Sequence, residues 1–219
     1  MAMKKTGSRR LFLLLLCGFM LFVSACSPTT ENSGNNSGSS NSTGDHEVSN
    51  DTPVYSISDY LPLEAGSQWD YLGEGNEYAS YKLKVLYREG DLAQLSRDNG
   101  GTVMALIYKI EADRILQVYS REDFYEDTNI LDTPADEAEV ILQAPFTVGA
   151  SWEATDRTYT ITATDETITV PAGVFDHCLK IVSTFPDSSH TVTEYYAPGT
   201  GMIRSEFKDG EAEVTSSLQ

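Results

Sequence analysis

The 219-residue chain has few basic residues, few histidines and few cysteines, and each shortage argues against a class of function. It has 15 Lys and Arg against 33 Asp and Glu, which gives a formal charge of −18. A protein that binds nucleic acid needs a cationic face for the phosphates, so the composition disfavours that role. Three Cys and three His supply too little for a zinc cluster or a disulfide framework, and we predict no metal and no cofactor.

No apolar run reaches the length that a membrane-spanning helix requires. Residues 11–23 are apolar, but 13 residues fall short of the roughly 20 needed to cross a bilayer. A basic segment containing Lys4, Lys5, Arg9 and Arg10 precedes this run. A basic segment followed by a short apolar run is typical of a secretory signal peptide, so the sequence predicts export.

The predicted signal peptide ends in a lipidation motif. Val23-Ser24-Ala25-Cys26 resembles the bacterial lipobox, in which a β-branched residue or Leu and two small residues precede Cys. The resemblance implies cleavage between Ala25 and Cys26, loss of residues 1–25 and acylation of the Cys26 thiol. Because two or more acyl chains anchor a protein stably, we expect a lipoprotein held on the extracytoplasmic face of the cell membrane. The alternative is an ordinary signal peptide cleaved nearby, with Cys26 as a chance thiol.

Residues 26–52 are predicted to be a disordered tether. After Cys26 the segment is dominated by Ser, Asn, Gly and Thr and has no aromatic residue. It cannot bury enough apolar area to offset the entropy lost on ordering. A flexible coil of about 25 residues spans roughly 25–30 Å. Since loss of the signal peptide removes no acidic residue, anionic headgroups repel the mature chain, and its domain should stand off the bilayer.

Residues 53–219 predict one all-β domain built as an antiparallel meander. Short segments rich in Val, Ile, Thr, Tyr and Phe alternate with turn residues every eight to twelve positions. Tyr81, Leu83 and Val85 share one face, whereas Lys82 and Lys84 face water. We expect an open barrel or strongly curved sheets. The predicted strands are 68–72, 78–87, 92–97, 103–111, 114–120, 139–143, 159–163, 167–170, 178–185, 191–196, 202–208 and 211–215.

A phrase near the start of this domain recurs in its middle. Residues 62–70 (PLEAGSQWD) and 145–153 (PFTVGASWE) share Pro, an apolar residue, Gly, Trp and an acidic residue at the same spacing, 83 residues apart. The two phrases contain both Trp residues of the chain. The repeat predicts two related half-units, each entering its sheet through a Gly turn and a Trp buried in the core.

Two further phrases carry a family resemblance. Residues 171–181 (PAGVFDHCLKI) and 195–203 (YYAPGTGMI) resemble the phrases PAGxFxxCLKV and YYAPGxGxV of an uncharacterised family of bacterial exported lipoproteins. The opening PLxxGxxW at 62–69 is similar to that family too. The resemblance covers most of residues 60–208 and implies a β-rich extracytoplasmic domain of unassigned activity. It implies no catalytic residue.

The patterns that would indicate catalysis or metal binding are weak. Cys178 adjoins His177, but neighbouring strand residues point to opposite faces, and a lone Cys in a strand is usually a buried apolar side chain. The acidic stretch 122–139 offers oxygen ligands for Ca²⁺, yet it has no calcium-loop motif and is interpreted as a solvated loop. Residues 73–75 (GEG) are too short to cradle a phosphate. We therefore predict no catalytic residue and no enzymatic activity.

The tyrosines are the strongest candidates for ligand contacts. Aromatic side chains can line the mouth of an open barrel, although most pack across strands. Nine lie in or beside predicted strands: Tyr71, Tyr78, Tyr81, Tyr87, Tyr108, Tyr119, Tyr125, Tyr195 and Tyr196.

Two functions remain. The protein binds a small amphiphile, glycan or envelope component without catalysis, or it is a structural module of an envelope complex. The first requires an unfilled cavity and the second an exposed aromatic patch. We favour the first.

Overall fold

The structure is a computed structural model that describes residues 54–219. The predicted signal peptide, the lipidation site at Cys26 and the tether lie outside these residues. No helix in the described part is long and apolar enough to cross a membrane. The elements found in this part of the chain are α1 Ile57–Tyr60, β1 Gln68–Glu74, β2 Tyr81–Glu89, β3 Leu92–Asp98, β4 Val103–Ile110, β5 Arg114–Arg121, β6 Glu139–Gln143, β7 Ser151–Glu153, β8 Thr158–Val170, β9 Gly173–Thr184, β10 Thr191–Ala197, β11 Gly201–Asp209 and β12 Ala212–Leu218.

The prediction of an all-β antiparallel domain is confirmed, with two corrections to its strands. The strands predicted over 159–163 and 167–170 are one strand, β8. Three register shifts against β9 interrupt the alternation along β8, which is why its sequence looks like two strands. The sequence did not predict β7, because three residues are too few for an alternating pattern to show.

The twelve strands form a single sheet that curls into a nearly closed barrel. Along each half of the meander every strand pairs with the next strand in the chain, and all the pairs are antiparallel. The first and last strands also pair, from Tyr71 opposite Leu218 to Glu74 opposite Thr215. The sheet order therefore runs around the barrel from β6 back to β1, on to β12, and back to β7. The remaining gap, between β6 and β7, is called the seam.

Side chains rather than backbone hydrogen bonds hold the seam together. The indole Nε1 of Trp152 donates to the carbonyl oxygen of Val140 at 3.0 Å. The hydroxyl of Tyr159 donates to Oε1 of Glu139 at 3.1 Å, and Nε of Arg157 lies 3.9 Å from the same oxygen. The two edges of the sheet are thus joined by a few polar side-chain contacts instead of a ladder of backbone hydrogen bonds, so we expect the seam to open more readily than the paired strands.

The barrel consists of two six-stranded halves, β1–β6 and β7–β12, which confirms the predicted half-units. Gly66 and Gly149 precede the first strand of each half and have φ angles of 87° and 90°. Each donates its N–H to the next strand of its own half, Gly66 to Val85 at 2.9 Å and Gly149 to Ile161 at 2.8 Å. The same two strand residues donate back to the residue after each glycine, at 2.9 Å in both halves.

Two β-bulges recur at matching positions in the halves. The first lies after Val85 in β2 and after Ile161 in β8. The second lies in β5, where Val118 is the extra residue opposite Ile107 and Tyr108, and in β11, where Ile203 is the extra residue opposite Tyr195 and Tyr196. A bulge bends its strand and increases the local twist, so matched bulges give the two halves matching curvature. The duplication therefore includes the irregular features of the sheet as well as the phrase seen in the sequence.

The two tryptophans of the repeated phrase are buried in the core, as predicted. Trp69 and Trp152 are each 7% exposed. Each indole donates to a backbone oxygen; Trp69 donates to Thr200 at 2.6 Å. Burying a Trp requires a partner for its N–H, and each half supplies a backbone oxygen to the Trp of the other half, Thr200 to Trp69 and Val140 to Trp152.

One end of the barrel, called the closed end, is filled by α1 and by the long β8–β9 hairpin. In the turn before β11, the N–H of Gly199 donates to the carbonyl oxygen of Asp59 in α1 at 2.7 Å. At the hairpin tip, the N–H of Ala172 donates to the carbonyl oxygen of Leu218 at 3.0 Å. Apolar side chains from both elements complete the core there. The opposite end, called the open end, carries the loops 75–80, 99–102, 122–138, 154–157, 185–190 and 210–211.

The loop 122–138 packs against the outer face of the sheet. The buried amide of Gln94 donates to the carbonyl oxygen of Thr128 at 2.9 Å and accepts from the N–H of Ile130 at 2.8 Å. Leu131 is buried against the outward side chains of β4 and β5. The acidic side chains from Glu122 to Glu137 are exposed. This stretch is therefore a solvated loop, as the sequence indicated, fixed to the barrel by its apolar and backbone groups.

Candidate functional site

The barrel encloses a cavity of about 340 Å³, called the interior cavity. Small-molecule sites usually have about 300–1,000 Å³, so its size suits a small ligand. Leu61 and Trp69 lie toward the closed end, and Arg97 and Ser120 lie near the open end. Five of the lining side chains are tyrosines, namely Tyr71, Tyr81, Tyr108, Tyr159 and Tyr196.

The cavity exists because small residues occupy a row of inward positions. Ser205 in β11 lies opposite Ser216 in β12, and both line the cavity. On the other side Ser205 pairs with Glu194 in β10. Protein interiors are normally filled to the density of organic crystals, and larger side chains in this row would fill the space. The row of small residues therefore leaves Glu194 facing an open volume.

Glu194 is the acidic group of the interior cavity. Its Oε2 accepts a hydrogen bond from the hydroxyl of Tyr196 at 3.4 Å. Within residues 54–219 its carboxylate forms no salt bridge. Burial raises the pKa of Glu194, and the Tyr196 hydrogen bond together with Arg157 and Arg97 only partly opposes that rise. The carboxylate is therefore desolvated without a charged partner.

Arg97 is the basic group that lines the cavity toward its open end. Its guanidinium carbon lies 4.3 Å from the centre of the Tyr81 ring, which is a cation–π contact. In the described part of the chain no carboxylate lies within salt-bridge distance of it. The side chain is exposed. The cavity thus has an exposed cation near its open end and a desolvated anion on its wall.

The cavity tyrosines are neutral phenols held in fixed positions. Tyr71 and Tyr81 stack with ring centres 4.5 Å apart, and the Tyr71 hydroxyl donates to the carbonyl oxygen of Met202 at 2.6 Å. Burial raises the pKa of Tyr108 to about 12 and raises those of the other four as well. Within residues 54–219 the hydroxyls of Tyr81 and Tyr108 have no protein partner. These two hydroxyls are available to a ligand.

The two halves contribute matching residues to the cavity wall. Counting across the strand pairs from the matched bulges makes Tyr108 in β4 equivalent to Tyr196 in β10. The same counting makes Ser120 in β5 equivalent to Ser205 in β11. All four side chains line the cavity. The cavity therefore lies between two related half-sites.

A second cavity, of about 350 Å³, lies at the closed end. It is bordered by residues 144–147, by Tyr55 and Tyr60, and by a hydrogen-bonded pair in which His177 Nδ1 lies 2.6 Å from Asp165 Oδ1. His177 has a φ of 57°, which is uncommon for a residue other than glycine. Its polar groups are fewer than those of the interior cavity, and its one charged residue, Asp165, is hydrogen-bonded to His177. We therefore take the interior cavity as the candidate site.

The residues considered for nucleophilic catalysis are apart from one another and from the interior cavity. Cys178 is fully buried, its Sγ lies 3.4 Å from the carbonyl oxygen of Phe175, and burial raises the pKa of its thiol to about 11. His177 is exposed beside Asp165. His190 lies in the loop 185–190. The sequence argument that Cys178 and His177 occupy opposite faces agrees with this arrangement.

The other motifs weighed in the sequence have structural roles. A Cβ at Gly73 would lie 2.2 Å from the backbone of Ala79, and a Cβ at Gly75 would lie 2.2 Å from the carbonyl oxygen of Glu213. These glycines allow close backbone packing and do not surround an open space. No group of three metal-ligating side chains is brought together within residues 54–219.

Sequence reasoning named part of the site and missed its charged groups. Of the nine tyrosines considered, Tyr71, Tyr81, Tyr108 and Tyr196 line the cavity, whereas Tyr78 and Tyr125 are 54% and 65% exposed. Tyr159 was not among them. Glu194 and Arg97 were not proposed. The sequence signal that could have identified Glu194 is its place in β10, as the acidic residue of a strand otherwise made of Thr, Val, Tyr and Ala.

The fold and cavity define a class of protein, a barrel-like antiparallel β-protein with an internal cavity suited to a small ligand. Residues 104–219, more than half of the chain, match the DUF3108-like family, and the chain belongs to that family. The match runs from β4 to the end of the chain and contains Glu194 and Tyr196. No curated protein matches the sequence.

Two solved structures are similar to this one. The first is a protein of Bacteroides fragilis NCTC 9343 described as exported and as having a YmcC-like fold. It is 16% identical, with a TM-score of 0.47, and the alignment covers 73% of this chain and 96% of that one. The second, from Parabacteroides distasonis ATCC 8503, is described as a lipoprotein. It is also 16% identical, with the same coverage and a TM-score of 0.37.

Proposed function

We propose that this protein is a lipid-anchored, extracytoplasmic binding protein whose interior cavity holds a small amphiphile. The interior cavity is the observation that carries the proposal. A soluble β-domain normally fills its core, and here inward-facing serines leave about 340 Å³ unfilled between two sets of tyrosines. A cavity that is retained at the expense of packing suits a protein that must accommodate a ligand.

The distribution of polar groups suits an amphiphile. Leu61 and Trp69 lie toward the closed end, and Leu83 and Met104 add apolar surface to the wall. The unpartnered polar groups include Arg97, nearer the open end. An amphiphile would place its apolar part toward Trp69 and its polar part among the polar groups of the cavity. In this arrangement a few polar contacts fix the orientation of the ligand, and burial of its apolar part supplies most of the affinity.

The proposal is for binding without catalysis. The thiol with the chemistry of a nucleophile, Cys178, is buried outside the interior cavity, and its raised pKa keeps it protonated and unreactive. The imidazoles of His177 and His190 do not line that cavity. The groups that do line it, phenols, hydroxyls and one residue of each charge, are suited to holding a ligand.

Occupancy of the cavity is tested with the neutral fluorescent probe N-phenyl-1-naphthylamine and the full-length, processed protein. We expect the probe to brighten on binding and Ser205→Phe to abolish the signal, because the ring would fill the cavity from β11. Ser217→Phe is the control, since Ser217 adjoins Ser216 but lies on the opposite face of β12. If both variants bind as the wild type does, the proposal fails and a structural module in an envelope complex becomes the better explanation.

Anchoring is tested separately at the lipidation motif. Cells fed an alkyne-bearing fatty acid should label the wild-type protein, and Cys26→Ser should abolish both the label and membrane retention. Cys178→Ser is the matched control, because it replaces a thiol inside the barrel and should leave the label unchanged. Labelling that persists in Cys26→Ser would show that the anchor is not attached at Cys26.

A further inference from the structure

We propose that Glu194 binds an ammonium group, so that the ligand of the interior cavity is an amphiphile with a cationic amine. This inference rests on the proposed function and names the chemical class of the ligand. It is carried by three features of the cavity: the duplicated wall, the unpaired carboxylate, and the tyrosines around it.

The duplication shows that the fold does not require an acid at this position. In the first half Val85 pairs with Leu95, which pairs with Leu106 in β4. In the second half the equivalent Ile161 pairs with Ile181, which pairs with Glu194 in β10, so Leu106 and Glu194 are equivalent positions. Both side chains line the cavity. Leu106 is 5% exposed and packs in the core. An apolar side chain is therefore sufficient for this place in the barrel, and the carboxylate is an added feature of the second half.

Within residues 54–219 no basic side chain forms a salt bridge with the carboxylate of Glu194. Buried charges in proteins are usually paired, because desolvation of an isolated charge is costly. Glu194 has one hydrogen bond, from Tyr196, and its neighbours Arg97 and Arg157 are engaged elsewhere, with the ring of Tyr81 and with the seam. A ligand that brings its own positive charge would supply the missing partner.

The aromatic rings near Glu194 are suited to the same charge. Tyr196 donates its hydroxyl to Glu194 at 3.4 Å, and Tyr71, Tyr108 and Tyr159 line the same cavity. The faces of aromatic rings attract cations, and rings arranged around an anion are the usual means by which proteins bind organic ammonium groups. An anionic head would instead meet the carboxylate, which repels it.

The position of Arg97 limits where the cation can lie. Arg97 lines the same cavity toward the open end, with its guanidinium over Tyr81. It does not neutralise Glu194, since none of the salt bridges within residues 54–219 joins them. The amine is therefore expected on the β10 side of the cavity, beside Glu194 and Tyr196, and a second, acidic group on the ligand would find Arg97 near the open end.

The test compares three probes of equal chain length, n-octylamine, n-octanol and n-octanoate, with the full-length processed protein carrying Trp152→Phe. Trp69 then reports alone, and it lines the cavity. At about pH 8 the amine is protonated, as Lys is. We expect the amine to bind more tightly than the other two. Glu194→Gln should weaken amine binding about tenfold or more and change octanol binding by less than about twofold, because only the charge is removed.

Two results would overturn the inference. One is equal affinity for the amine and octanol; the other is amine binding that Glu194→Gln does not weaken. In either case octanol binding would leave the proposed cavity function intact. If none of the three probes perturbs Trp69, the proposed function itself fails. Glu194→Leu keeps the test independent of misfolding, because Leu occupies the equivalent position in the first half, and this variant should fold and lose the amine preference.

Discussion

Replacing Glu194 with Leu should stabilise the barrel, although it alters a residue of the cavity wall. The substitution removes a desolvated carboxylate with one hydrogen bond, from Tyr196 at 3.4 Å, and gives β10 the side chain found at the equivalent position, Leu106. Replacing buried charged groups by well-packed apolar ones is often neutral or stabilising by about 1–4 kcal/mol. Because Glu194 keeps some access to the cavity, we expect the lower end, about 1 kcal/mol.

The stability gained by Glu194→Leu should increase with pH. The folded-state pKa of Glu194 is raised above its ordinary value of 4.5, so the folded protein holds this proton more tightly than the unfolded chain does. The carboxyl costs no stability below that ordinary value, and its cost is complete once pH exceeds the folded-state pKa. Tyr196, Arg97 and Arg157 reduce the cost by favouring the ionised form, and Glu139 increases it. The gain of about 1 kcal/mol from Glu194→Leu should therefore be present above the folded-state pKa of Glu194 and absent below pH 4.5.

Urea unfolding followed by tryptophan fluorescence measures this difference at about pH 4 and about pH 8. A gain of about 1 kcal/mol corresponds to a rise in Tm of roughly 2–4 °C for a domain of this size. Glu137→Leu, in the exposed loop 122–138, is the control and should change stability by less than about 0.5 kcal/mol. The reasoning is refuted if Glu194→Leu is less stable than the wild type at pH 8, or if its effect is the same at both pH values.

Three further predictions concern the rest of the barrel. Cys178 should not react with a thiol reagent at neutral pH until the protein unfolds, because its thiol is buried with a pKa near 11; fast labelling of the native protein would contradict this. Gly75→Ala should destabilise the protein more than Gly90→Ala in urea titrations, since both glycines have positive φ but only at Gly75 would a Cβ meet backbone, 2.2 Å away. Trp152→Phe removes the seam hydrogen bond to Val140 and should cost about 1–3 kcal/mol and speed hydrogen exchange in β6 and β7; exchange unchanged in both strands would show that the seam does not depend on it.

The strand pattern of this protein could be predicted from local sequence because burial on one face of a strand imposes a period of two. In β6 the alternation and the flanking residues defined both ends, Glu139 and Gln143, as they appear in the structure. The repeated phrase likewise predicted two half-units, because Gly66 and Gly149 occupy turns that need positive φ. These features depend on residues close together in the chain, and so the sequence by itself determined them.

The candidate site could be predicted only in part, because β-bulges change which face a residue occupies. A bulge at Ile203 breaks the alternation along β11, so counting in twos does not show that Met202 and Ser205 line one cavity. Arg97 is exposed and charged, and from sequence alone such a residue near a turn belongs to the surface. Arg97 shares a face with the fully buried Leu95, but only the closure of the sheet places Arg97 on the wall of a cavity.

The sequence by itself determined the all-β class, the pairing of consecutive strands and the internal repeat, and it predicts an export signal that lies outside the described residues. The tertiary structure alone decided that the meander closes, through the pairing of Tyr71 with Leu218, and that the closed sheet leaves a cavity around Glu194. The reason is physical. Closure depends on twist and bulges accumulated over twelve strands, and the cavity depends on side chains such as Ser120 and Ser205, from strands distant in the chain, facing one interior, which no local pattern records.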